Sequence, residues 1–194
     1  MSAGRSDWKD NLTLLEENEV VDGDNGDQDS AIRCGCGDRG KLCNDETCIN
    51  FSTQTECSSC GPECQNQRFQ KKQFPQVEVL PTPKKHGWGL FAKEDIKKGD
   101  FVLEFCGEII NRKTMNRRTS SARNQLFIIQ LHNDAFMDAT EKGSLSRFVN
   151  HSCEPNVIQD RWIVDEKLCI GMFTMRDISK GEEFSFDYQW QYNK

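Results

Sequence analysis

Aromatic hydroxyls are scarce in this 194-residue chain: two tyrosines stand against twelve phenylalanines. A tyrosine inside a dense C-terminal segment, Phe184-Ser185-Phe186-Asp187-Tyr188, is therefore a conspicuous choice. No run of eighteen or more apolar residues occurs, so no membrane span is expected. The N-terminus is acidic and lacks an apolar h-region, which argues against a secretory signal. Large apolar residues are few between Leu15 and the first cysteine. Residues 1–30 carry nine acids against Arg5 and Lys9, so the net charge of −6 sits in this tail and the rest is near neutral. With so little to bury, residues 1–32 are expected to form a solvated, disordered acidic arm. Leu12, Leu14 and Leu15 offer a short docking motif as the alternative.

Ten cysteines in a chain without a secretory signal point to metal binding or buried thiols rather than disulfides. Seven of them fall in one block: Cys34, Cys36, Cys43, Cys48, Cys57, Cys60 and Cys64. Two tetrahedral zinc ions need eight ligand positions, which seven thiolates fill if one sulfur bridges both metals. The block has few large apolar residues, so zinc is expected to supply much of its folding energy. Free thiols are the competing reading. An all-cysteine site has no open coordination position, so two zinc ions here would be structural. Cys106 and Cys169, in strand-like apolar context, read as small buried hydrophobes.

A chain of this length holds one substantial core with a small appendage. Residues 67–194 read as a body of short strands. Val77 to Leu80, Phe101 to Phe105, Leu126 to Leu131, Trp162 to Val164, Leu168 to Phe173 and Glu183 to Tyr188 are rich in aliphatic and aromatic residues, and turn residues bound them. One stretch, Asn111 to Arg123, looks helical, polar and basic. It has no apolar stripe and so belongs at the surface. Asp95-Ile96-Lys97-Lys98-Gly99-Asp100 is echoed by Asp177-Ile178-Ser179-Lys180-Gly181-Glu182, two similarly built turns that each feed a strand.

Two segments suggest a site built from distant loops. Arg147 to Asn156, RFVNHSCEPN, packs an Asn-His pair, a cysteine and a proline-stopped turn together. His86-Gly87-Trp88-Gly89 places glycines around a tryptophan, so backbone can approach a ligand beside an aromatic face. A sulfonium cation suits such a face. Either feature alone is more often structural.

The ordered set GWGLFA, LEFCGEII, DATEKGSLSRFVNHSCEPN and GEEFSFDY resembles the SET-domain protein lysine methyltransferases. The cysteine block just upstream resembles the AWS zinc module of the Set2-like subgroup, which methylates lysine 36 of histone H3. This resemblance implies a mainly β chain with short helices: an AWS module over 33–76, then the SET β-fold over 77–194 with a C-terminal pseudoknot. It implies S-adenosylmethionine as methyl donor, a histone H3 tail or nucleosome as partner, no membrane, DNA contact only within a nucleosome, and a nuclear, chromatin location. Position by position, His86, Gly87, Trp88, Phe127, Asn150 and His151 fall on the cofactor site. Tyr188 falls on the catalytic tyrosine. Phe186 falls where phenylalanine is associated with room for higher methylation states.

The sequence departs from this pattern in three places. Leu126-Phe127 stands where relatives carry a pair of tyrosines, and Phe105 where they carry one. Relatives also continue into a post-SET segment whose three cysteines join the one matching Cys153 on a third zinc. The chain reads to Lys194 without them, which leaves that third site in doubt. These departures motivate the alternative expectation of a SET-fold chromatin protein with little or no turnover.

Overall fold

The computed structural model describes residues 8, 12–26, 31–40, 42–82, 87–121 and 127–188. In chain order these form β1 (Thr13–Leu14), β2 (Glu19–Val20), α1 (Ile49–Ser52), β3 (Val77–Pro81), β4 (Trp88–Ala92), β5 (Phe101–Phe105), β6 (Gly107–Asn111), α2 (Arg112–Ser121), β7 (Ile128–His132), β8 (Ala135–Gly143), β9 (Asn150–His151), β10 (Val157–Val164), β11 (Lys167–Thr174) and β12 (Ser185–Phe186). One sheet runs β1-β8-β6-β2 with β7 also on β8; a second runs β10-β11-β5. β3 pairs with β4, and β9 pairs in parallel with β12. Among the described residues no helix is long and apolar enough to cross a membrane. The main core lies between these small sheets, around Leu90, Ile109, Met137, Ile170, Met172 and Phe184.

The acidic arm is not a disordered tail over its described length. β1 joins β8 in parallel, and β2 joins β6 in parallel. Two strand edges that would otherwise show bare N–H and C=O groups are thus covered. The acids that seemed to repel order meet specific partners instead. Glu19 pairs with Lys142 at 2.8 Å, Glu16 with Lys72 at 2.9 Å, and Asp22 accepts from Thr114 Oγ1 at 2.6 Å. Gly23 lies so close to the sheet that an added Cβ would be 2.8 Å from Ile109 and Ile110 atoms. Leu14, in β1, is exposed, and Trp8 packs edge-on against Phe148 with ring centroids 5.3 Å apart.

The strand at Phe101–Phe105 falls where its aliphatic and aromatic composition puts it, and those at β3, β7, β10 and β11 overlap their expected ranges. At the C-terminus only Ser185–Phe186 is strand, shorter than expected. β4, β6 and β8 were not anticipated as strands. β8 is hard to read because it carries Asp138, which is 1% exposed. Its charge is met by Arg118 of α2 at 2.8 Å, and the same guanidinium reaches Glu108 of β6 at 2.7 Å. This explains how a helix without an apolar stripe stays on the sheet: it is fastened by one arginine to two buried carboxylates.

The echoed turns face one another. Ile96 and Ile178 exchange both backbone hydrogen bonds at 2.9 Å. Lys98 N–H donates to Asp177 at 3.0 Å and Lys180 N–H donates to Asp95 at 2.8 Å, a near two-fold arrangement. Gly99 and Gly181 hold left-handed φ values of 82° and 84°, which glycine adopts without steric cost.

Candidate active site

The second of these turns delivers residues 182–188 into the interior. On one side Phe184 N–H donates to Leu90 O at 2.8 Å and Ala92 N–H to Glu182 O at 3.0 Å. On the other, Asn156 clamps the segment: its N–H donates to Ser185 O, its Nδ2 to Glu183 O, and its Oδ1 accepts from Ser185 N–H. The C-terminal segment thus lies between β4 and the loop that follows β9. Phe184 is fully buried, while Phe186 and Tyr188 emerge beside β9.

Tyr188 is held at three points. Its hydroxyl donates to Val149 O at 2.9 Å, its N–H to His151 Nδ1 at 3.2 Å, and its ring lies 4.5 Å from that of Phe186. Burial pushes its hydroxyl up to about 12, so the phenol stays neutral and acts as a donor and dipole, not as a base. Asn150, next in the chain to Val149, donates through Nδ2 to Trp88 O at 3.2 Å and to Glu183 Oε1 at 2.8 Å. Gly87, preceding Trp88, has φ of 80° and open space where a side chain would be. His86 and Leu126 lie outside the described residues.

From Tyr188 and Phe186 a groove of about 700 Å³ runs between β7 and β10. Phe105, Phe127, Ile129, Val157 and Ile170 make its apolar lining. Arg161 fixes its width by donating to Leu131 O at 3.0 Å and Gln130 O at 2.9 Å. Among the described residues β7 and β10 are edge strands of their sheets, although Arg161 takes the Gln130 and Leu131 carbonyls and Ile163 pairs with Gln54 and Glu56.

Tyr188, Phe186, Asn150, His151 and the Trp88 backbone therefore converge on one spot, with Phe127 on the groove wall. Three participants had not been singled out. Val149 carries the carbonyl that orients Tyr188, and Glu183 holds Asn150. Arg147 stacks its guanidinium 4.3 Å over the Phe127 ring and donates to Thr140 O at 2.6 Å. Arg147 and Glu183 stood in the quoted motifs, but neither spacing nor residue type marks a hydrogen bond made across the fold.

The seven cysteines form their own compact cluster away from this groove. Two groups of four have all their sulfurs within 4.8 Å of one another: Cys34, Cys36, Cys43, Cys48 and Cys34, Cys43, Cys57, Cys60. Measured separations of 3.1 Å (Cys34–Cys60), 3.6 Å (Cys34–Cys43) and 3.9 Å (Cys48–Cys57) bracket the edge of a zinc–thiolate tetrahedron. That edge is about 3.8 Å for Zn–S bonds of 2.3 Å. The tetrads share Cys34 and Cys43, either of which is placed to bridge two metals, so the donor set fits zinc. Cys64 packs in the same cluster without belonging to either tetrad. Although burial opposes it, hydrogen bonds from Cys36 N–H and neighbouring thiols bring Cys34 down to about 6, toward the thiolate a metal binds. Cys153 is exposed, with His151 Nε2 at 3.5 Å, and joins no such group among the described residues.

Family models match the chain in two places: AWS domain over residues 32–72 and SET domain over 87–189. The "Histone-lysine N-methyltransferase, H3 lysine-36 specific" of Debaryomyces hansenii is 45% identical over 170 residues, covering 84% of this chain and 22% of that protein. The protein of the same name from Candida albicans is 45% identical over 152 residues, 74% of this chain and 18% of the relative. Human "Histone-lysine N-methyltransferase SETD2" is 44% identical over 160 residues, 79% of this chain and 6% of the relative. The chain thus spans about a fifth or less of the length of these relatives. With SET and AWS domains matched in tandem, and with the SET site assembled from β4, β9 and the C-terminal segment, the chain belongs to the SET-domain family.

Proposed function

We propose that this chain is the catalytic part of a histone-lysine N-methyltransferase that moves methyl groups from S-adenosylmethionine to histone H3, with lysine 36 as target. One observation carries the reading: the tethered Tyr188 hydroxyl stands with Phe186 at the head of an apolar groove, beside the Asn150–His151 pair. The names of the relatives support the choice of histone and lysine.

S-adenosylmethionine, when bound, supplies a methyl group on a sulfonium centre. Gly87, Trp88, Asn150 and His151 would hold it, with His86 and Phe127 as further candidates. The residues fit such a ligand: Asn150 Oδ1 has no donor among the described residues, and Trp88 is only partly buried. Phe105, Phe127 and Ile129 give a lysine side chain an apolar passage toward Tyr188. An amine with a reference pKa of about 10.4 must lose its proton there, which costs roughly 4–5 kcal/mol at pH 7. An apolar wall lowers that cost by disfavouring the cation. Tyr188 contributes alignment, since its hydroxyl is fixed by Val149 O and a reaction in line is an orientation problem. Phe186, without a hydroxyl, leaves the passage free of one hydrogen-bond partner and so open to more than one round of methylation.

Incubation with nucleosomes and labelled donor tests the reading. Label on lysine 36 of H3, lost in Tyr188→Phe, is expected; no transfer under conditions where a relative works overturns it. A second reading, slow or absent turnover, is favoured by the Arg147 cation over Phe127 where relatives carry a tyrosine. Full-speed transfer by the unaltered chain excludes it. For the cysteine cluster we propose two structural zinc ions, with one of Cys34 and Cys43 bridging them and Cys64 taking the place that the other leaves in the second site. Native mass spectrometry reading two zinc atoms per chain is expected. Nuclear chromatin is the proposed location and the nucleosome the proposed partner, with DNA touched only there.

A further inference from the structure

Asn150 is the pivot of the proposed cofactor corner, and an amide works as a recognition group only if its two ends are told apart. Both partners of its Nδ2 are pure acceptors: the Trp88 carbonyl at 3.2 Å and the Glu183 carboxylate at 2.8 Å. A flipped amide would set Oδ1 against two oxygens, so these partners fix the NH₂ end inward and leave Oδ1 as the presented group. Trp88 O is part of β4 and cannot be withdrawn by mutation; Glu183 can.

Glu183 itself is placed with some care. Its carbonyl accepts from Asn156 Nδ2 at 2.8 Å, and it bridges to Phe91 of β4. To reach Asn150, its carboxylate crosses β4 at Gly89, where an added Cβ would lie 2.6 Å from Glu183 Oε1 and 2.8 Å from Thr82 Cγ2. A methyl group at that glycine would therefore push the carboxylate off Asn150. Ordinary packing gives no reason to keep a carboxylate at this spot. A hydrogen-bonded selector for the amide does.

We propose that Glu183 is a positioning residue, which by accepting from Asn150 Nδ2 aims Asn150 Oδ1 at the α-ammonium group of the cofactor. This rests on the cofactor reading above. Oδ1 can only accept, and the ammonium is the cationic donor of that ligand, so the pairing is charge-assisted. Such a bond is worth about tenfold or more in affinity.

The test is calorimetry on the whole chain without substrate, using S-adenosylhomocysteine and its desamino analogue, in which CH₂ replaces CH(NH₃⁺). The unaltered protein should prefer the amino compound by roughly tenfold. Glu183→Leu and, independently, Gly89→Ala should lose most of that preference while the desamino compound binds as before. Glu183→Gln keeps an acceptor oxygen and should retain most of the preference. Thermal unfolding checks that each variant is folded. Equal weakening of both ligands means that Glu183 merely supports the fold and overturns the proposal, as does a preference unchanged in Gly89→Ala or lost in Glu183→Gln. If Glu183→Leu does not fold, the other two variants decide by the same criteria. Failure of the unaltered chain to bind S-adenosylhomocysteine overturns the cofactor reading itself, and this inference with it.

Discussion

The cysteine block and the β body are held by different physics. In the block the buried cluster is built of sulfurs, with Cys36, Cys48 and Cys57 0% exposed and polar Asn50, Glu56 and Asn66 buried around them, and α1 is its single α-helix among the described residues. In the body hydrocarbon fills the same role, with Leu90, Ile109 and Met137 equally sealed. If the cluster binds zinc as proposed, thiolates are brought together by a cation and order in the block depends on metal and proton activity. Apolar burial has no such dependence. The two meet across aromatic rings, where Phe69 lies 4.2 Å from Phe101 and Phe51 packs edge-on against Trp162 at 5.6 Å. Glu56 adds a carboxylate that accepts from the N–H groups of Phe69 and Gln70. On the zinc reading, a metal-dependent module thus shares an aromatic seam with one held by hydrocarbon.

The most direct way to break this contrast is to withdraw the metal. A strong chelator should unfold residues 33–66 while the body keeps a cooperative melt; loss of both in one transition would show that the seam makes them one unit. Next in size is a place where the body itself relies on buried charge. Arg118→Met leaves Asp138 buried without a cation and Glu108 with only Lys142, 3.8 Å away, and breaking such a pair costs about 3–5 kcal/mol. Denaturant midpoints measure it, and replacing all three with apolar residues should recover most of the loss. Phe101→Ala probes the seam and should cost about 3–5 kcal/mol, while making the zinc cluster easier to strip. That coupling is followed by the rate of zinc release to an indicator.

A smaller effect comes from pH. Burial pushes Glu104 up to about 7, with nearby acids adding to the shift. The folded chain therefore holds a proton that the unfolded chain releases near about 4.3. The stability this gives is full below the unfolded value and is lost as pH rises through about 7, a change of roughly 3–4 kcal/mol. Glu104→Gln should be more stable than the parent at pH 8 and no more stable at pH 4, by urea midpoints. Because the thiolates behave oppositely, losing metal as pH falls, the two regions should respond to pH with opposite sign. Least of all, Glu19→Gln should leave the midpoint within experimental error, since its partner Lys142 is a surface base.

Part of this is legible in the sequence. Seven closely spaced cysteines point to a compact thiol cluster, which the fold brings together at zinc-compatible spacing. The Asn-His pair and the C-terminal tyrosine, distant in the chain, lie side by side in the fold. What stayed hidden shares one cause. The arm could be read only as acidic, because Lys72, Lys142 and Thr114 meet it from far along the chain. β8 hid behind Asp138, whose burial makes sense only beside Arg118. Glu183 looked like one acid in a run until Gly89 and Asn150 were seen around it. Patterns along a chain report local preference, and these groups owe their state to distant partners.

The paired turns bear on the order in which the molecule is made. Their reciprocal contacts join residues 79 and 85 positions apart. Closing loops of that length is slow compared with forming hairpins such as β10–β11. The turn at 177–182 also immediately precedes the segment that carries Phe186 and Tyr188. A chain that has folded its hairpins but not yet joined its two turns would have its Gly87–Trp88 and Asn150–His151 segments with no tyrosine beside them. Joining them seats the tyrosine, so competence should arrive in a single late step and not by degrees.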